Sequence, residues 1–374
     1  MKICVITLHT VNNYGSVLQT YATQKILEQM GHSVQVIDYW RASNQLDAKV
    51  NDLLHHKKLK PFYKILQNSV VRSSVTKLCE MKAISDHEPF EKFLNQRVHL
   101  SRRYNDYAEL EANPPEADVY ITGSDQVWNS IWNNGFERAY YLEFVPDSKK
   151  KIAFSASIGR ERIDDWEIEP MRASLSRYQA ISMREESGVH LLRDKLGIDA
   201  SLTLDPTLML PGSQWLELCR KKRIMEDAYI LVYQLNNNWK MDQYIEQLAS
   251  RYGLKILRLT YGRGNKSQVG RKLVRPSVEE FLGAFAGAEC VVTDSFHATS
   301  FALNLGIDFI SIPPEKFSVR IKDILQLTHT ESRLLSDYEN FEIYNETTDY
   351  DKVQNVLENM RMQSLHFLTQ ALEM

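Results

Sequence analysis

Residues 2–38 decide the fold, and they read KICVITLHTVNNYGSVLQTYATQKILEQMGHSVQVID. The opening run Lys2–Leu8 is almost continuously apolar, which is typical of a strand covered on both faces. Ser16 is in position to cap a helix that continues to Met30, and the strand Val34–Asp38 follows. Strand, helix and strand within about 38 residues predict a βαβ unit, and hence a parallel sheet with a right-handed crossover.

The same alternation recurs along most of the chain. Residues 41–117 are polar, helix-prone and without clear alternation, so we interpret them as an inserted helical segment. Turn residues concentrate between Pro206 and Pro211, where a linker between two domains is expected. Further strands are predicted at Asp118–Thr122, Lys151–Ser157, Ala180–Met183, Tyr229–Leu235, Leu254–Leu259, Cys290–Thr293 and Phe309–Ile312.

These elements predict an α/β protein with two Rossmann-like domains that face a cleft. The N-terminal domain is assigned to residues 1–211, including the helical insertion, and the C-terminal domain to residues 212–348. Residues 349–374 carry one long helical pattern and are predicted to form a C-terminal helix. Ligands of such sheets bind beyond the carboxyl ends of the strands, so the loops at these ends are the candidate site.

The composition is that of a globular protein, since 43% of the 374 residues are apolar and 25% are charged. The net charge is −3 with both signs interleaved, which argues against a nucleic-acid-binding protein. The four cysteines form no Cys-x-x-Cys pair, so neither a zinc site nor a disulfide framework is predicted. Without a signal peptide or a run of about 18 apolar residues, the sequence predicts a cytoplasmic protein with no transmembrane segment. Peripheral contact with the inner face of a membrane stays open.

Two loops of the N-terminal half combine polar side chains with a glycine. Asn12, Asn13 and Tyr14 lie between the first strand and its helix, where N–H groups can hold an anion and amides can read hydroxyls. The block Gly123–Asn129 follows the strand Asp118–Thr122 and places polar groups beside an indole on which a sugar can stack. For both loops the alternative is a simple turn with a helix cap. The candidates in the second loop are Asp125, Gln126, Trp128 and Asn129.

A histidine and two arginines mark further strand ends. His297 begins a helix after the apolar strand Cys290–Thr293, where it can contact phosphate or exchange a proton. Arg184 and Arg320 lie at strand-to-helix junctions and can bind a carboxylate or a phosphate. The alternatives are a packing histidine for His297, an ion pair on a solvated face for Arg184 and a surface arginine for Arg320. Asp205 precedes a proline and is interpreted as the cap of a turn.

Taken in chain order, these motifs resemble the polysaccharide pyruvyltransferase family over most of the chain. Each motif is weak by itself, whereas the ordered set is fairly specific. The stretches that carry the resemblance are Ile3–Gln19, Gly123–Asn129, Ser155–Gly159, Met183–Ser187, Asp205–Leu208 and Thr293–Gly306.

The resemblance implies a fold of the GT-B glycosyltransferase type in which the C-terminal helix packs back on the N-terminal domain. It further implies a phosphoenolpyruvate co-substrate, no metal or other cofactor, and a saccharide acceptor whose linkage to a lipid stays open. The product would be a pyruvate ketal on a surface polysaccharide or its precursor. His297 would be catalytic, and Arg184, Ser295, His297 and Arg320 would bind the donor. The acceptor would contact Asn12, Asn13, Tyr14, Asp125, Gln126, Trp128 and Asn129.

One departure from the family pattern concerns the donor site. Where many members have Arg-Leu-His, this chain has Ser295-Phe296-His297, so the arginine associated with donor binding is replaced by Ser295. Arg184 and Arg320 are the candidates to supply the missing guanidinium. Two other functions stay open at this point, a GT-B glycosyltransferase that uses a sugar nucleotide and a catalytically silent glycan-binding protein.

Overall fold

A computed structural model describes most of the chain. The described residues are 1–41, 69–219, 224–260, 269–314 and 318–374. The predicted insertion therefore lies partly outside them, at residues 42–68. No helix within the described ranges is both long and apolar enough to cross a bilayer.

The first sheet is formed by the N-terminal half of the chain. Its described strands are β1 (Lys2–Ile6), β2 (Ser33–Tyr39), β3 (Leu100–Tyr104), β4 (Val119–Thr122), β5 (Lys150–Ala156), β6 (Ala180–Met183) and β7 (Ser201–Leu202). All are parallel, in the order β3-β2-β1-β4-β5-β6-β7. The connections reverse direction between β1 and β4, so the loops after these two strands diverge and leave a crevice at the carboxyl edge.

The second sheet repeats this topology with fewer strands. Its described strands are β8 (Tyr229–Tyr233), β9 (Lys255–Thr260), β10 (Arg271–Val274), β11 (Cys290–Thr293) and β12 (Phe309–Ser311). All are parallel, in the order β10-β9-β8-β11-β12. The reversal falls between β8 and β11, so the second crevice lies beyond the ends of these strands.

Helices cover both sheets and bury the apolar strands, with Ile3, Val5, Leu231 and Val291 fully inaccessible. The described α-helices are Tyr14–Gln29, Ser69–Arg97, Tyr107–Ala112, Ser130–Asn133, Asp165–Leu175, Glu186–Leu191, Pro206–Met209, Gly212–Glu217, Trp239–Tyr252, Val278–Ala286, Phe296–Leu305, Val319–Leu327 and Tyr350–Glu373.

The strands predicted from the sequence are all present, with ends shifted by two residues at most. Three strands were not predicted, and they lie at edges of the sheets: β3, β7 and β10. The interpretation of residues 41–117 as purely helical is wrong, because this segment contributes β3. That strand reads LSRRY and is largely accessible to solvent, so it lacks the apolar run of an interior strand.

The helix Tyr350–Glu373 contacts both halves of the molecule. At its start, the hydroxyl of Tyr350 donates to the carbonyl of Ile307 at 2.5 Å, in the second domain. Nearer its end, the hydroxyl of Ser364 accepts the N–H of Leu204 at 2.9 Å, just after the last strand of the first sheet. The last helix therefore returns to the N-terminal half, where the family resemblance placed it.

Candidate active site

The carboxyl ends of the two sheets face one cavity of about 390 Å³. The first domain supplies the loops after β1 and β4, and the second domain supplies the loops after β8 and β11 together with the start of the helix Val319–Leu327. The structure brings most of the predicted site residues to its wall. Those that line it are Asn12, Asn13, Asp125, Gln126, Ser295, His297 and Arg320.

The loop after β1 is shaped by Asn13 and Gly15. The Asn13 Oδ1 accepts the N–H of Gly15 at 2.9 Å and that of Ser16 at 3.4 Å, so Asn13, and not Ser16 as predicted, caps the first helix. A Cβ atom on Gly15 would lie 2.1 Å from Cγ of His297. Because no side chain fits there, glycine is what allows the first domain to approach the imidazole of the second.

Asp125 enters the cavity from a strained backbone. Its φ of 71° lies in the left-handed region, which residues other than glycine adopt rarely and mostly at functional sites. The Ser16 hydroxyl donates to Oδ2, and Nη2 of Arg184 donates to Oδ1 at 3.2 Å. Burial favours the neutral acid, but the charges of Arg184 and His297 outweigh it and lower the pKa of Asp125. Asp125 is therefore a carboxylate at neutral pH.

Arg184 lies beneath the cavity and does not line it. Its side chain is 0% exposed, and Nη1 donates to Oδ2 of Asp205 at 2.6 Å. The guanidinium carbon lies 4.7 Å from the ring centre of Phe296. Burial works against its charge, but Asp205 and Asp125 more than offset this and raise the pKa of Arg184. Oε2 of the buried Glu185 lies 3.7 Å from its Nε, so the charge of Arg184 is shared by three buried carboxylates, which distinguishes it from a donor ligand.

His297 lies at the first turn of the helix Phe296–Leu305, between the two domains. Its Nε2 is 3.5 Å from Nη1 of Arg184 and 3.8 Å from Oδ2 of Asp205. An arginine N–H can only donate, so Nε2 is the acceptor in the neutral ring. Burial lowers the pKa of His297 to about 4, although Asp205 and Asp125 oppose this. The imidazole is therefore neutral at pH 7 in the ligand-free protein.

Arg320 lines the cavity and differs from Arg184 in its partners. Its buried Nε has no hydrogen-bond partner among the described residues, as is also true of Arg184, but unlike Arg184 it forms no ion pair with them. The guanidinium carbon lies 5.6 Å from the ring centre of Phe296, on which both arginines pack. Burial, and then the charge of Arg184, lower the pKa of Arg320 to about 10, so the group keeps its charge at neutral pH. Arg320 is a guanidinium open to an incoming anion.

Ser295 and Asp294 build the loop in front of His297. The Ser295 hydroxyl accepts the N–H of Ala298 at 3.4 Å and caps the helix Phe296–Leu305. The two carboxylate oxygens of Asp294 accept the N–H groups of Leu235 at 2.7 Å and Asn236 at 2.8 Å. Burial raises the pKa of Asp294. The serine that replaces the family arginine thus completes a helix N-terminus, which itself favours anions.

Tyr14 does not reach the cavity, which corrects its predicted contact with the acceptor. Its side chain is buried, and the hydroxyl donates to the carbonyl of Pro276 at 2.6 Å. Its ring stacks on Phe281 with a centroid distance of 4.3 Å. Tyr14 is thus an anchor of the first domain in the second, since both partners belong to the second domain.

Trp128 and Asn129 also lie away from the cavity, which corrects the predicted stacking surface. The Trp128 ring is fully buried against Tyr141 at 5.7 Å, and its Nε1 donates to the carbonyl of Tyr140 at 3.1 Å. Asn129 is buried too, and its Oδ1 accepts the N–H of Ile131 at 3.1 Å as a helix cap. Both residues support the loop after β4.

Asp205 belongs to the site, although the sequence analysis assigned it to a turn. It does cap that turn, through the N–H of Thr207 at 2.9 Å. Its Oδ2 in addition accepts the hydroxyl of Ser124 at 3.0 Å and Nη1 of Arg184. The interpretation as a turn cap alone was therefore incomplete. The presence of Asp205 among the motifs of the family resemblance was the one sequence signal for this second role.

Solved structures that are similar to this chain include two described as UDP-GlcNAc 2-epimerases and one glycosyltransferase. The chain is similar to a UDP-GlcNAc 2-epimerase from Neisseria meningitidis bound to UDP-GlcNAc, with 12% identity over 100% of this chain and 99% of that chain at a TM-score of 0.50. A structure described as a UDP-N-acetylglucosamine 2-epimerase from Listeria monocytogenes has 10% sequence identity, over 94% of this chain and 90% of that chain, at a TM-score of 0.50. The Streptomyces sp. SF2575 glycosyltransferase SsfS6, complexed with thymidine diphosphate, has 11% sequence identity to this chain. The similarity covers 99% of each chain at a TM-score of 0.49.

Two parallel sheets that face one cavity, joined by a returning C-terminal helix, define a protein of the GT-B fold, as predicted. A search among curated proteins gives no match. The family of polysaccharide pyruvyl transferases matches residues 13–315. The chain belongs to this family, which confirms the resemblance seen in its motifs and makes it a transferase that acts on polysaccharide.

Proposed function

We propose that the protein transfers the pyruvyl group of phosphoenolpyruvate to a saccharide and forms a pyruvate ketal. The observation that carries the proposal is that Arg320 and His297 line the same cavity. Arg320 brings a guanidinium whose Nε has no hydrogen-bond partner among the described residues, and His297 brings a titratable ring at a helix N-terminus. A donor with a phosphate and a carboxylate needs both kinds of group.

The donor-binding groups lie on the second domain in this proposal. Arg320 pairs with the phosphate or the carboxylate, and the N-terminus of the helix Phe296–Leu305 offers N–H groups to the other anion. Arg184 acts indirectly, because it neutralises Asp125 and Asp205 beneath the cavity. Without this neutralisation the two carboxylates would repel the donor.

The chemistry needs a proton at the methylene carbon of the donor. Protonation of that carbon leaves an oxocarbenium-like centre at C2, which one sugar hydroxyl attacks with loss of its own proton. The C2–O bond then breaks with its electron pair on the departing phosphate, and a second hydroxyl attacks C2, gives its proton to the phosphate and closes the ketal. Phosphoenolpyruvate and a diol thus give a ketal and inorganic phosphate, with no metal or other cofactor in the scheme.

His297 is the proton carrier in this proposal. In the free protein its pKa is about 4, so it carries no proton to give at neutral pH. A bound trianion favours the imidazolium and raises the pKa of His297, so the proton is taken up together with the donor. The same ring accepts a proton from the attacking hydroxyl once it has protonated the methylene carbon.

Thermal unfolding with candidate donors tests the proposal before any acceptor is known. Phosphoenolpyruvate should raise the midpoint of unfolding of the parent protein, because a ligand that binds only the native state stabilises it. UDP-GlcNAc and thymidine diphosphate should not. In a second step, methyl pyranosides serve as acceptors and the release of inorganic phosphate from phosphoenolpyruvate is followed.

The outcomes separate the three functions left open by the sequence. A shift with UDP-GlcNAc and none with phosphoenolpyruvate would contradict the proposal and favour a glycosyltransferase. Pyranoside binding with no shift for either donor would favour a glycan-binding protein. The variant Arg320→Ala is the control, since it should lose most of the shift with phosphoenolpyruvate.

A further inference from the structure

An exposed indole lies at the cavity, on the first domain. The side chain of Trp132 is 54% exposed, and the residue lines the cavity next to Gln126. From the opposite domain Leu235, 44% exposed, lines the same cavity. Large apolar side chains that are left accessible beside polar groups are typical of ligand sites.

Trp132 and Trp128, four residues apart in the same loop, have opposite surroundings. Trp128 is fully buried, and its Nε1 donates a hydrogen bond to a backbone carbonyl. Its indole therefore already fills the core beneath this loop. The exposed indole of Trp132 therefore is not needed to fill the core beneath this loop.

The backbone that carries Trp132 is held at several points. Nη1 of Arg41 donates to the carbonyl of Trp132 at 3.2 Å, and Nδ2 of Asn133 donates to the carbonyl of Val127 at 2.8 Å. The Asn129 side chain caps the same short helix at its start. An indole that is accessible on a fixed support is preorganised for binding, because little conformational freedom is lost when a ligand stacks on it.

The facing wall is fixed in a similar way. The N–H of Leu235 donates to Oδ1 of Asp294, so the loop after β8 is tied to the loop after β11. Between these apolar groups the cavity wall carries the amides of Asn12 and Gln126 and the carboxylate of Asp125. A pyranose ring has the matching chemistry, with a face of C–H bonds and an edge of hydroxyls.

We propose that Trp132 is the stacking platform for a pyranose ring of the acceptor, with Leu235 on the other side of the cavity. The proposal rests on the proposed function, whose acceptor side it specifies. It moves the predicted sugar-stacking role from Trp128 to Trp132. The hydroxyls to be bridged then point away from the indole, toward the polar floor and His297.

Saturation-transfer difference NMR with methyl β-D-galactopyranoside and methyl β-D-glucopyranoside tests this assignment without a donor. We expect transfer to the ring C–H protons of at least one pyranoside in the parent protein. Trp132→Ala should weaken that binding about tenfold, and Trp132→Phe should retain most of it, because stacking needs an aromatic face. Trp166→Ala is the matched control, since Trp166 is also 54% exposed but does not line the cavity.

Unchanged binding in Trp132→Ala, equal loss in Trp166→Ala, or no transfer to either pyranoside in the parent protein would each overturn the proposal. Steady-state kinetics gives a second readout, where Trp132→Ala should raise KM for the acceptor and leave KM for phosphoenolpyruvate unchanged. Because the NMR experiment contains no donor, its outcome is independent of turnover. A protein that binds pyranosides through Trp132 yet releases no phosphate would contradict the proposed function and not the platform.

Discussion

The two walls of the cavity differ in chemistry although they end equivalent sheets. The first-domain wall presents amides, a carboxylate and an indole, from Asn12, Asp125, Gln126 and Trp132. Arg41 lines it too, with its Nη1 donating to the carbonyl of Trp132. The second-domain wall presents a guanidinium, an imidazole and a helix N-terminus. Amides and an indole suit a neutral, hydroxylated ligand, whereas the second wall suits an anion. The two walls thus have the different chemistry that the proposed donor and acceptor require.

Arg184 and Arg320 sharpen this difference, because both pack on Phe296 but only one faces the cavity. Arg184 belongs to the first domain and is fully buried between Asp125 and Asp205. Arg320 belongs to the second domain, lines the cavity and forms no ion pair with the described residues. The same side chain therefore supports the structure on one wall and is open to ligand on the other.

The largest effect is expected for Arg184→Ala. The change leaves Asp125 and Asp205 buried without their cation, so the free energy of unfolding should fall by about 3–5 kcal/mol. Urea unfolding followed by circular dichroism measures this. Arg320→Ala is the control and should unfold near the parent midpoint, since it breaks no ion pair with the residues that the structure describes. Equal losses in both variants would show that the two arginines do not differ in role.

His297→Gln should reduce turnover about a hundredfold or more, because glutamine can keep a hydrogen bond but cannot transfer a proton. The affinity for phosphoenolpyruvate should change much less. The release of inorganic phosphate gives turnover, and isothermal titration gives donor affinity. Normal turnover with weakened donor binding would instead make His297 a ligand of the donor only.

Arg320→Ala should weaken the binding of phosphoenolpyruvate by about 1.5–3 kcal/mol, the usual contribution of a hydrogen bond to a charged group. Binding of methyl pyranosides should stay unchanged, since their proposed contacts are with Trp132 and Leu235 and not with Arg320. Isothermal titration of both ligands checks the contrast. A parallel loss of both affinities would show that the walls do not bind separate ligands.

The smallest effect is expected for Asp323→Ala. Oδ2 of Asp323 accepts the N–H and the hydroxyl of Ser187, at 3.1 and 2.8 Å, and joins the helix that carries Arg320 to the first domain. Loss of these bonds should lower stability by about 0.5–1.5 kcal/mol and raise KM for phosphoenolpyruvate modestly. Asp323→Asn keeps an acceptor oxygen and should recover part of the change. If neither variant alters KM, the bonds do not position Arg320.

Local patterns in the sequence predicted the interior strands well, because a strand covered on both faces must be apolar throughout. Helix caps depend on equally local patterns, as in the capping box that Ser277 and Glu280 form. The edge strand β3 was missed, since a strand with one free edge tolerates SRR within it. The pattern of apolar residues thus identifies strands that are buried on both faces, but not strands at an edge of a sheet.

The candidate site was predictable only in part. Asn12, His297 and Arg320 line the cavity because the carboxyl ends of strands converge whatever the side chains are. Trp128 and Trp132 lie in one loop, and only tertiary packing decides which indole is buried. Asp205 was missed as a member of the ion cluster because its partner Arg184 is distant in sequence.

The returning helix Tyr350–Glu373 has a consequence for how the chain is made. Besides accepting the N–H of Leu204, it covers the first sheet where Lys150 donates to the carbonyl of Leu372 at 2.8 Å. A ribosome completes the whole second domain before this helix emerges. Part of the apolar surface of the first domain thus stays uncovered until the second domain has been translated. The first domain can complete its folding only when the last segment of the chain has been synthesised.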